Sequence, residues 1–242
     1  MLERCLESLR PVLDRRDTEL IWVDNGSTDG SAEYVRREFP GAKTRILPRN
    51  RGVAYARNRG VEMASGEYIL FLDDDTEASA DAIDTLIQYL DSHEDTGIIG
   101  CALRAADGQL QESFKGYPGL MCKIRNVLRS KLRRSNRPVA LPADIIYPVY
   151  VIGACQMIRS EVFERVGLLD EAIFYGPEDA DLCLRAAHRG ARTPQQGWRT
   201  AYLPQVSILH HWRRITTRSL TSPVSRAHIR ALIHFWLKHR RL

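Results

Sequence analysis

The chain has 242 residues, of which 44% are hydrophobic and 27% are charged, and its formal net charge is +5. This length suits one large α/β domain with a substantial core, and the composition excludes a disordered chain. No window of about twenty apolar residues is present, and the first residues lack the apolar centre of a signal peptide. We therefore expect a cytoplasmic protein. The five scattered cysteines predict neither a zinc site nor a disulfide framework.

The first half of the chain alternates between helix-like and strand-like patterns. Leucines at helical spacing come first, and short apolar runs bounded by polar turns follow. Strands that alternate with helices favour a mostly parallel sheet with helices on both faces. The predicted helices are Leu2–Leu13, Ser31–Glu38, Ala54–Ala64 and Ala80–Leu90, and the predicted strands are Glu19–Val23, Thr44–Leu47, Tyr68–Leu72 and Gly97–Leu103.

The second half is less regular. Residues 109–142 form no clear pattern, and we expect an insertion there that shapes a pocket. Apolar character returns over Tyr147–Ile158, and Ala201–His210 has the alternation of a strand. Between these two segments the sequence predicts the helices Ser160–Val166 and Glu178–His188.

Three consecutive carboxylates, Asp73, Asp74 and Asp75, follow the predicted strand Tyr68–Leu72. Folding normally avoids such a concentration of negative charge, so a bound cation is one explanation. In extended backbone Asp73 and Asp75 point the same way and Asp74 points the opposite way. Two such carboxylates can share Mg²⁺ or Mn²⁺, which prefer oxygen ligands. A solvated acidic loop or a helix cap is the alternative interpretation.

A second acidic pair, Glu178 and Asp179, begins a predicted helix directly after Gly176-Pro177. Proline at a helix start followed by acids in the first turn is also ordinary capping. Asp181 and Arg185 are four residues apart, and we interpret them as a structural ion pair. Taken alone, this segment does not distinguish a catalytic site from a capped helix.

Together these motifs resemble the family 2 glycosyltransferases, and the resemblance spans residues 1–212 in the family's order. It implies an α/β fold with a mostly parallel, Rossmann-like sheet of the nucleotide-diphospho-sugar transferase type. The segments that carry it are Asp24-Asn25-Gly26-Ser27-Thr28-Asp29-Gly30, Asn50-Arg51-Gly52, Ala56-Arg57-Asn58-Arg59-Gly60, Asp73-Asp74-Asp75, Gly153-Ala154, the run from Phe163 to Glu171, and Glu178-Asp179.

The resemblance also implies a nucleotide-diphosphate sugar donor, Mn²⁺ or Mg²⁺, and inversion at the anomeric carbon. Asp75 is then the direct metal ligand, Asp73 binds the donor sugar or shares the metal, and a histidine completes the metal site. We prefer His210 to His211 for this role because His210 continues the alternation of its strand. The residues expected to contact the donor are Asp24, Asn50, Arg57, Asp73 and Asp74, and a cap of its own helix is the alternative role for Arg57.

On the acceptor side, a single inverting displacement needs a base that takes the proton of the attacking hydroxyl. We choose Asp179 as this base and Glu178 as the residue that orients it or binds the acceptor, although the two roles are exchangeable. Like charge nearby can raise the pKa of the base towards a useful value. The segment near Glu178 is most similar to bacterial rhamnosyltransferase-like members, so we expect a saccharide or lipid-linked saccharide acceptor in surface polysaccharide or glycolipid synthesis.

Two features depart from the family pattern. The usual first strand is missing ahead of Leu2–Leu13, so either the true start lies upstream or the sheet lacks a central strand. Loss of that strand predicts impaired donor binding unless something replaces it. Trp212-Arg213-Arg214 stands where related sequences tend to have small residues, and either arginine is a candidate for contact with the diphosphate.

Residues 213–242 are predicted to form a basic, amphipathic helical extension of a catalytic domain at residues 1–212. Such a helix either packs on the domain or lies on an anionic membrane, which would place the protein peripherally at the inner face. Its apolar stripe consists of Ile229, Leu232, Ile233 and Trp236.

Two other functions remain open. One is a truncated, non-catalytic remnant that acts as a binding module. The other is a nucleotidyltransferase, which also uses paired aspartates and a metal but releases pyrophosphate and needs no counterpart of Glu178-Asp179. We expect no nucleic-acid partner, because aromatic residues do not interleave the basic run Lys123–Arg137.

Overall fold

The structure, a computed structural model, describes residues 1–15, 17–117, 141–189, 197–211 and 223–240. The helices are α1 (Leu2–Leu13), α2 (Ser31–Glu38), α3 (Val53–Val61), α4 (Ala80–Ser92), α5 (Ser160–Val166), α6 (Glu178–Arg189) and α7 (Pro223–His239). The strands are β1 (Ile21–Asp24), β2 (Lys43–Ile46), β3 (Tyr68–Leu72), β4 (Thr76–Glu77), β5 (Thr96–Arg104), β6 (Leu110–Gln111), β7 (Phe114–Lys115), β8 (Tyr150–Val151), β9 (Cys155–Arg159) and β10 (Arg199–His210).

Local sequence explains where several elements begin and end. Helices α1 and α2, strand β3 and helix α5 have the predicted boundaries, because their apolar periodicity is strong and polar turns bound it. Helix α4 begins at Ala80 because the Ser79 hydroxyl accepts a hydrogen bond of 3.2 Å from the backbone N–H of Ala82. The boundaries of these elements are therefore determined by local sequence.

Within the described residues, the main sheet has six strands, in the order β3-β9-β5-β10-β4 with β6 paired to β5. The predicted α/β class is confirmed, but the pairing is more mixed than expected. β5 and β10 are parallel, whereas β9 is antiparallel to both of its neighbours. Strand β9 begins at Cys155, which pairs with Leu72 at the end of β3, so the chain must run back along β3. An apolar pattern indicates burial and contains no information about direction.

Strands β1 and β2 form a parallel pair that is separate from the main sheet. Among the described strands, β1 is hydrogen-bonded only to β2. In the described part of the chain, the sheet is therefore interrupted between the pair and β3.

Helix α1 contacts both sheets through side chains. Its Leu6 belongs to a small apolar cluster that includes Trp22 of β1. One turn later, Leu9 belongs to a larger cluster that includes Leu70 of β3. This helix therefore covers the interruption between the two sheets.

Helix α3 makes the matching connection on the opposite face. Gly60 lies against the side chain of Val23 in β1, where an added Cβ would be 3.6 Å from a Val23 methyl carbon. Val61 packs on the apolar cluster that contains Phe71 of β3. Two helices, one on each face, thus hold β1 and β3 in one molecule without a shared ladder.

Alternate residues of the central strand β5 face two separate cores. Ile98 and Ala102 belong to the core beneath α3, α5, α6 and α7. Ile99, Cys101 and Leu103 belong to the core beneath α1 and α4. The molecule is therefore a three-layer α/β/α arrangement. Because the helices cover the two faces of the sheet, the ends of the strands are open to form a site.

Several predictions fall on residues outside the described ranges. These are the basic run Lys123–Arg137, the segment Trp212-Arg213-Arg214 and the predicted domain boundary between residues 212 and 213. Of the predicted insertion, the described part contains β6 and β7. In the described ranges, no helix combines the length and the apolar character needed to cross a bilayer.

Candidate functional site

The acidic triplet lies in a tight turn directly after β3. The backbone N–H of Asp73 donates to the carbonyl of Ala154 at 3.2 Å. The carbonyl of Asp73 accepts from the backbone N–H of Thr76 at 3.1 Å and from the Thr76 hydroxyl at 2.8 Å. The turn is therefore fixed at both ends, and its acidic side chains have defined positions.

Asp73, Asp75 and His210 form a group that could hold a cation. One ligand atom from each side chain lies within 4.8 Å of the other two. His210 Nε2 is 3.3 Å from Oδ1 of Asp75, and this hydrogen bond holds the pKa of Asp75 below its ordinary value. Asp74 is exposed and lies outside the group. Its predicted contact with the donor stays a prediction.

Gln111 fixes the ring of His210, and sequence reasoning missed it. Its Nε2 donates to the His210 carbonyl at 2.7 Å, and its Oε1 is 2.7 Å from His210 Nδ1. Because the amide nitrogen must donate to the carbonyl, the amide oxygen faces the ring and Nδ1 is the donor. Nε2 is then the nitrogen that faces Asp75 and the cation group. No motif includes Gln111, and the sequence gives no signal for it. The pairing of β6 with β5, which brings Gln111 beside β10, is visible only in the structure.

His211 faces away from the group. Its Nε2 is 2.6 Å from Oε1 of Glu77, and its backbone N–H donates to the carbonyl of Asp75 at 2.8 Å. Adjacent residues of a strand point to opposite faces, which explains why only one histidine can join the carboxylates. Two carboxylates and one imidazole whose Nε2 faces them suit Mn²⁺ or Mg²⁺, so the residues present fit the metal that the sequence predicts.

Arg57 joins the two acidic groups. Its Nη2 donates to Oδ1 of Asp73 at 2.9 Å and to the carbonyl of Gly153 at 2.8 Å, while its Nη1 is 3.4 Å from Oε1 of Glu178. A Cβ at position 153 would collide with the guanidinium, so any other residue there would displace Arg57 from this position. The side chain thus connects the turn after β3 to the start of α6 instead of capping its own helix.

Glu178 and Asp179 have different surroundings. Glu178 is buried, and its Oε2 has no hydrogen-bond partner in the described part of the chain. Asp179 is partly exposed and accepts from the backbone N–H groups of Gly153 at 3.3 Å and Ala180 at 2.7 Å. Burial, and then the charge of Asp179, raise the pKa of Glu178 to about 7, against the opposing effect of Arg57. Burial also raises the pKa of Asp179, so this pair retains a proton more readily than ordinary carboxyl groups.

The start of α6 is anchored by Asp181, which is fully buried. Its Oδ2 accepts from Arg185 Nε at 2.8 Å, which confirms the predicted structural pair. Its Oδ1 lies 2.7 Å from Lys238 Nζ and 2.8 Å from His239 Nε2, both on α7. Glu178 and Asp179 therefore lie in the first turn of a helix that is attached to α7 through Asp181.

Asp24 and Asn50, predicted to contact the donor, shape loops at the end of β1. Asp24 is buried, and its Oδ1 accepts from the backbone N–H of Ser27 at 2.7 Å. Asn50 Oδ1 accepts from Asn25 Nδ2 at 3.2 Å and from the backbone N–H of Gly52 at 2.9 Å. The bond between Asn25 and Asn50 joins the two loops, and the contact of Asp24 and Asn50 with a donor stays a prediction.

Solved structures share this fold at low sequence identity. The mannosyltransferase PcManGT from Pyrobaculum calidifontis, in complex with GDP-Man and Mn²⁺, has a TM-score of 0.60 and 20% identity, covering 100% of this chain and 61% of that one. Staphylococcal TarS 1–349 (S. aureus) has a TM-score of 0.59 and 14% identity, covering 99% and 68% respectively. These similarities show the fold alone.

Curated relatives are closer in sequence. The N-acetylglucosaminyl-diphospho-decaprenol L-rhamnosyltransferase of Mycobacterium tuberculosis is 28% identical over 255 residues, which cover 94% of this chain and 77% of the relative. The dTDP-rhamnosyl transferase RfbF of Shigella flexneri is 30% identical over 189 residues, covering 76% and 59%. Rhamnosyltransferase WbbL of Escherichia coli is 27% identical over 196 residues, covering 79% and 69%. A sequence model of glycosyl transferase family 2 matches residues 1–167, and the chain therefore belongs to that family of glycosyltransferases.

Proposed function

We propose that this glycosyltransferase is metal-dependent and inverting, and that it moves a sugar from a nucleotide-diphosphate donor to an acceptor hydroxyl. The observation that carries the proposal is the bridge made by Arg57. One guanidinium contacts Asp73 of the candidate cation group and Glu178 of the acid pair. A cation-binding group and a proton acceptor are thus within reach of one side chain, and an inverting transfer needs both in one place.

On the acceptor side, Asp179 is the base. It is more accessible than Glu178, and its carboxylate is oriented by two backbone N–H groups. It takes the proton of the acceptor hydroxyl as the oxygen attacks the anomeric carbon and the bond to the diphosphate breaks. A single displacement of this kind inverts the anomeric configuration. Buried Glu178 contacts Arg57, and we assign it the role of orienting the pair.

On the donor side, the chain holds its ligands in place before any donor arrives. Thr76 fixes the turn that positions Asp73 and Asp75, and Gln111 fixes the ring of His210. A divalent cation held by these three ligands would neutralise charge that develops on the departing diphosphate. Preorganised ligands reduce the free-energy cost of assembling the site.

The names of the curated relatives suggest the donor and the acceptor. Two of them are described as rhamnosyltransferases of defined substrates, one using a dTDP-rhamnosyl donor and one acting on a saccharide linked to decaprenol through a diphosphate. We therefore propose dTDP-rhamnose as the first donor to test. The proposed acceptor is a lipid-linked saccharide at the inner face of a membrane, within surface polysaccharide or glycolipid synthesis.

The test is a panel of nucleotide sugars, with release of nucleoside diphosphate measured in Mn²⁺, in Mg²⁺ and in excess chelator. We expect turnover with one donor only when metal is present, and an inverted anomeric configuration in the product by NMR. Asp179→Asn removes the base and should lower kcat by roughly 10²–10⁴-fold. Asp75→Ala should lower activity strongly and raise the metal concentration that half-maximal activity requires.

Asp84→Asn is the matched control, because Asp84 is a surface carboxylate of α4 paired with Arg15. Full activity in both Asp75→Ala and Asp179→Asn would refute the site assignment. No turnover with any donor, alongside an intact fold, would favour a non-catalytic remnant. Release of pyrophosphate in place of nucleoside diphosphate would favour a nucleotidyltransferase.

A further inference from the structure

Helix α7 directs polar side chains inward as well as apolar ones. Leu232 and Phe235 are buried against the core beneath α6. Lys238 and His239 lie on the same side of the helix, where both contact the buried carboxylate of Asp181. These two basic side chains therefore help to attach the helix to the domain.

The outer face of α7 is apolar and cationic. The predicted apolar stripe is divided, because Leu232 points inward while Ile229 and Ile233 point outward. Ile229, Ile233 and Leu237 are spaced by four residues and are 46%, 49% and 59% exposed. At 3.6 residues per turn, six of the exposed residues fall within about 100° of the helix circumference, and exposed Lys238 lies outside this arc. The six are Arg226, Ile229, Arg230, Ile233, Leu237 and Arg240.

We propose that this outer face, the six residues just named, docks on the surface of a membrane that contains anionic lipid. Large aliphatic side chains on one line of a helix can enter the boundary between headgroups and acyl chains. The arginines beside them can bind lipid phosphates, and α7 contains no aspartate or glutamate that would oppose this attraction. The positive charge of this face and its line of aliphatic side chains thus both suit an anionic membrane surface.

A second copy of the chain fits this face less well. Symmetric dimers place the same surface patch of both subunits in contact. Arg226, Arg230 and Arg240 would then face their own counterparts, with no carboxylate from α7 to offset the repulsion. An anionic bilayer offers the opposite charge across its whole surface, and for this reason we favour lipid as the occupant.

Docking at α7 has a direct connection to the candidate site. His228 Nδ1 is 2.9 Å from the carbonyl of Tyr175 and 3.2 Å from the carbonyl of Gly176, so this nitrogen donates to the segment that enters α6. That segment leads to Glu178 and Asp179. A docked α7 would keep the acceptor end of the site close to the lipid surface. This last step rests on the proposed function, whereas the docking itself does not.

The experiment is co-sedimentation of the full chain with vesicles, without nucleotide sugar or metal. Vesicles of phosphatidylcholine alone are compared with vesicles that also contain phosphatidylglycerol. We expect binding to the anionic vesicles at least about tenfold stronger, and weaker binding at high salt. The triple variant Ile229→Ser/Ile233→Ser/Leu237→Ser should lose about tenfold or more, and Arg226→Gln/Arg230→Gln should lose the preference for anionic lipid.

Ile46→Ser is the matched control, because Ile46 is an isoleucine of β2 with similar exposure, 43%. Thermal unfolding of each variant checks that the fold is intact. Equal vesicle binding by the parent and the folded triple variant would overturn the proposal, as would no binding of the parent to anionic vesicles. A dimer that depends on the triple site and excludes lipid would identify a second copy as the occupant. Vesicle binding here, with no turnover in the separate panel of nucleotide sugars, would refute the proposed function and leave the docking surface in place.

Discussion

Gln111 gives the first prediction at the scale of single residues. It holds the imidazole of His210 by accepting from Nδ1 and by donating to the backbone of the same residue. Gln111→Ala frees the ring to rotate and to change tautomer, although all three proposed ligands are still present. We expect the affinity for Mn²⁺ to fall by about 10–100-fold, measured by the EPR signal of free Mn²⁺ without donor or acceptor.

Gln109→Ala is the control for this prediction. Gln109 is two residues away and exposed, and its hydrogen bonds are made by its backbone. Unchanged Mn²⁺ affinity in Gln111→Ala would mean that His210 is held by other contacts or does not bind the ion.

Arg57 gives a prediction about pH. Its positive charge lowers the pKa of Glu178, whereas burial and Asp179 raise it to about 7. The base must be ionised to act, so activity falls as the pH drops through the apparent pKa of the pair. Arg57→Met removes the lowering effect, and the acidic limb of the kcat profile should move to higher pH. Arg59→Met is the control, because Arg59 pairs with Glu62 and Glu171. A shift to lower pH in Arg57→Met would contradict the assigned pair.

At the scale of elements, Asp181 attaches α7 to α6. Asp181→Asn leaves the cations of Arg185 and Lys238 facing a neutral group in a buried place. Breaking a buried pair in this way costs about 3–5 kcal/mol of unfolding free energy, measured by urea denaturation. The control is Glu161→Gln, which breaks the i,i+4 pair with Arg165 at the surface and should cost less than about 1 kcal/mol. Equal losses in both variants would show that Asp181 does not hold the helix.

Elements differ in how far their own sequence determines them. Helix α2 has the predicted boundaries, since the amphipathic pattern and the turn before it are local. The direction of β9 was not predictable, because it depends on the point at which the chain returns to the sheet. Helix α7 was predicted as a helix, but its inward face depends on carboxylates at positions 170 and 181, far away in the sequence.

At the scale of the whole molecule, the sequence predicted the residues of the candidate site better than the contacts between them. Asp73, Asp75 and His210 were predicted as a group and do lie together. The bridge from Arg57 to Glu178 joins residues that are 121 positions apart, and no local pattern indicates it. The position of Gln111 beside His210 likewise requires the completed sheet.

The interruption between β1 and β3 has a mechanical consequence. Within the described strands, no backbone hydrogen bond joins the β1–β2 pair to the main sheet, and side chains of α1 and α3 carry the connection. Sliding along this line would strain van der Waals contacts without breaking backbone hydrogen bonds between strands, so we expect less resistance to shear here than between the paired strands of the main sheet. Asp24 and its turn lie on one side of this line, and the cation group lies on the other.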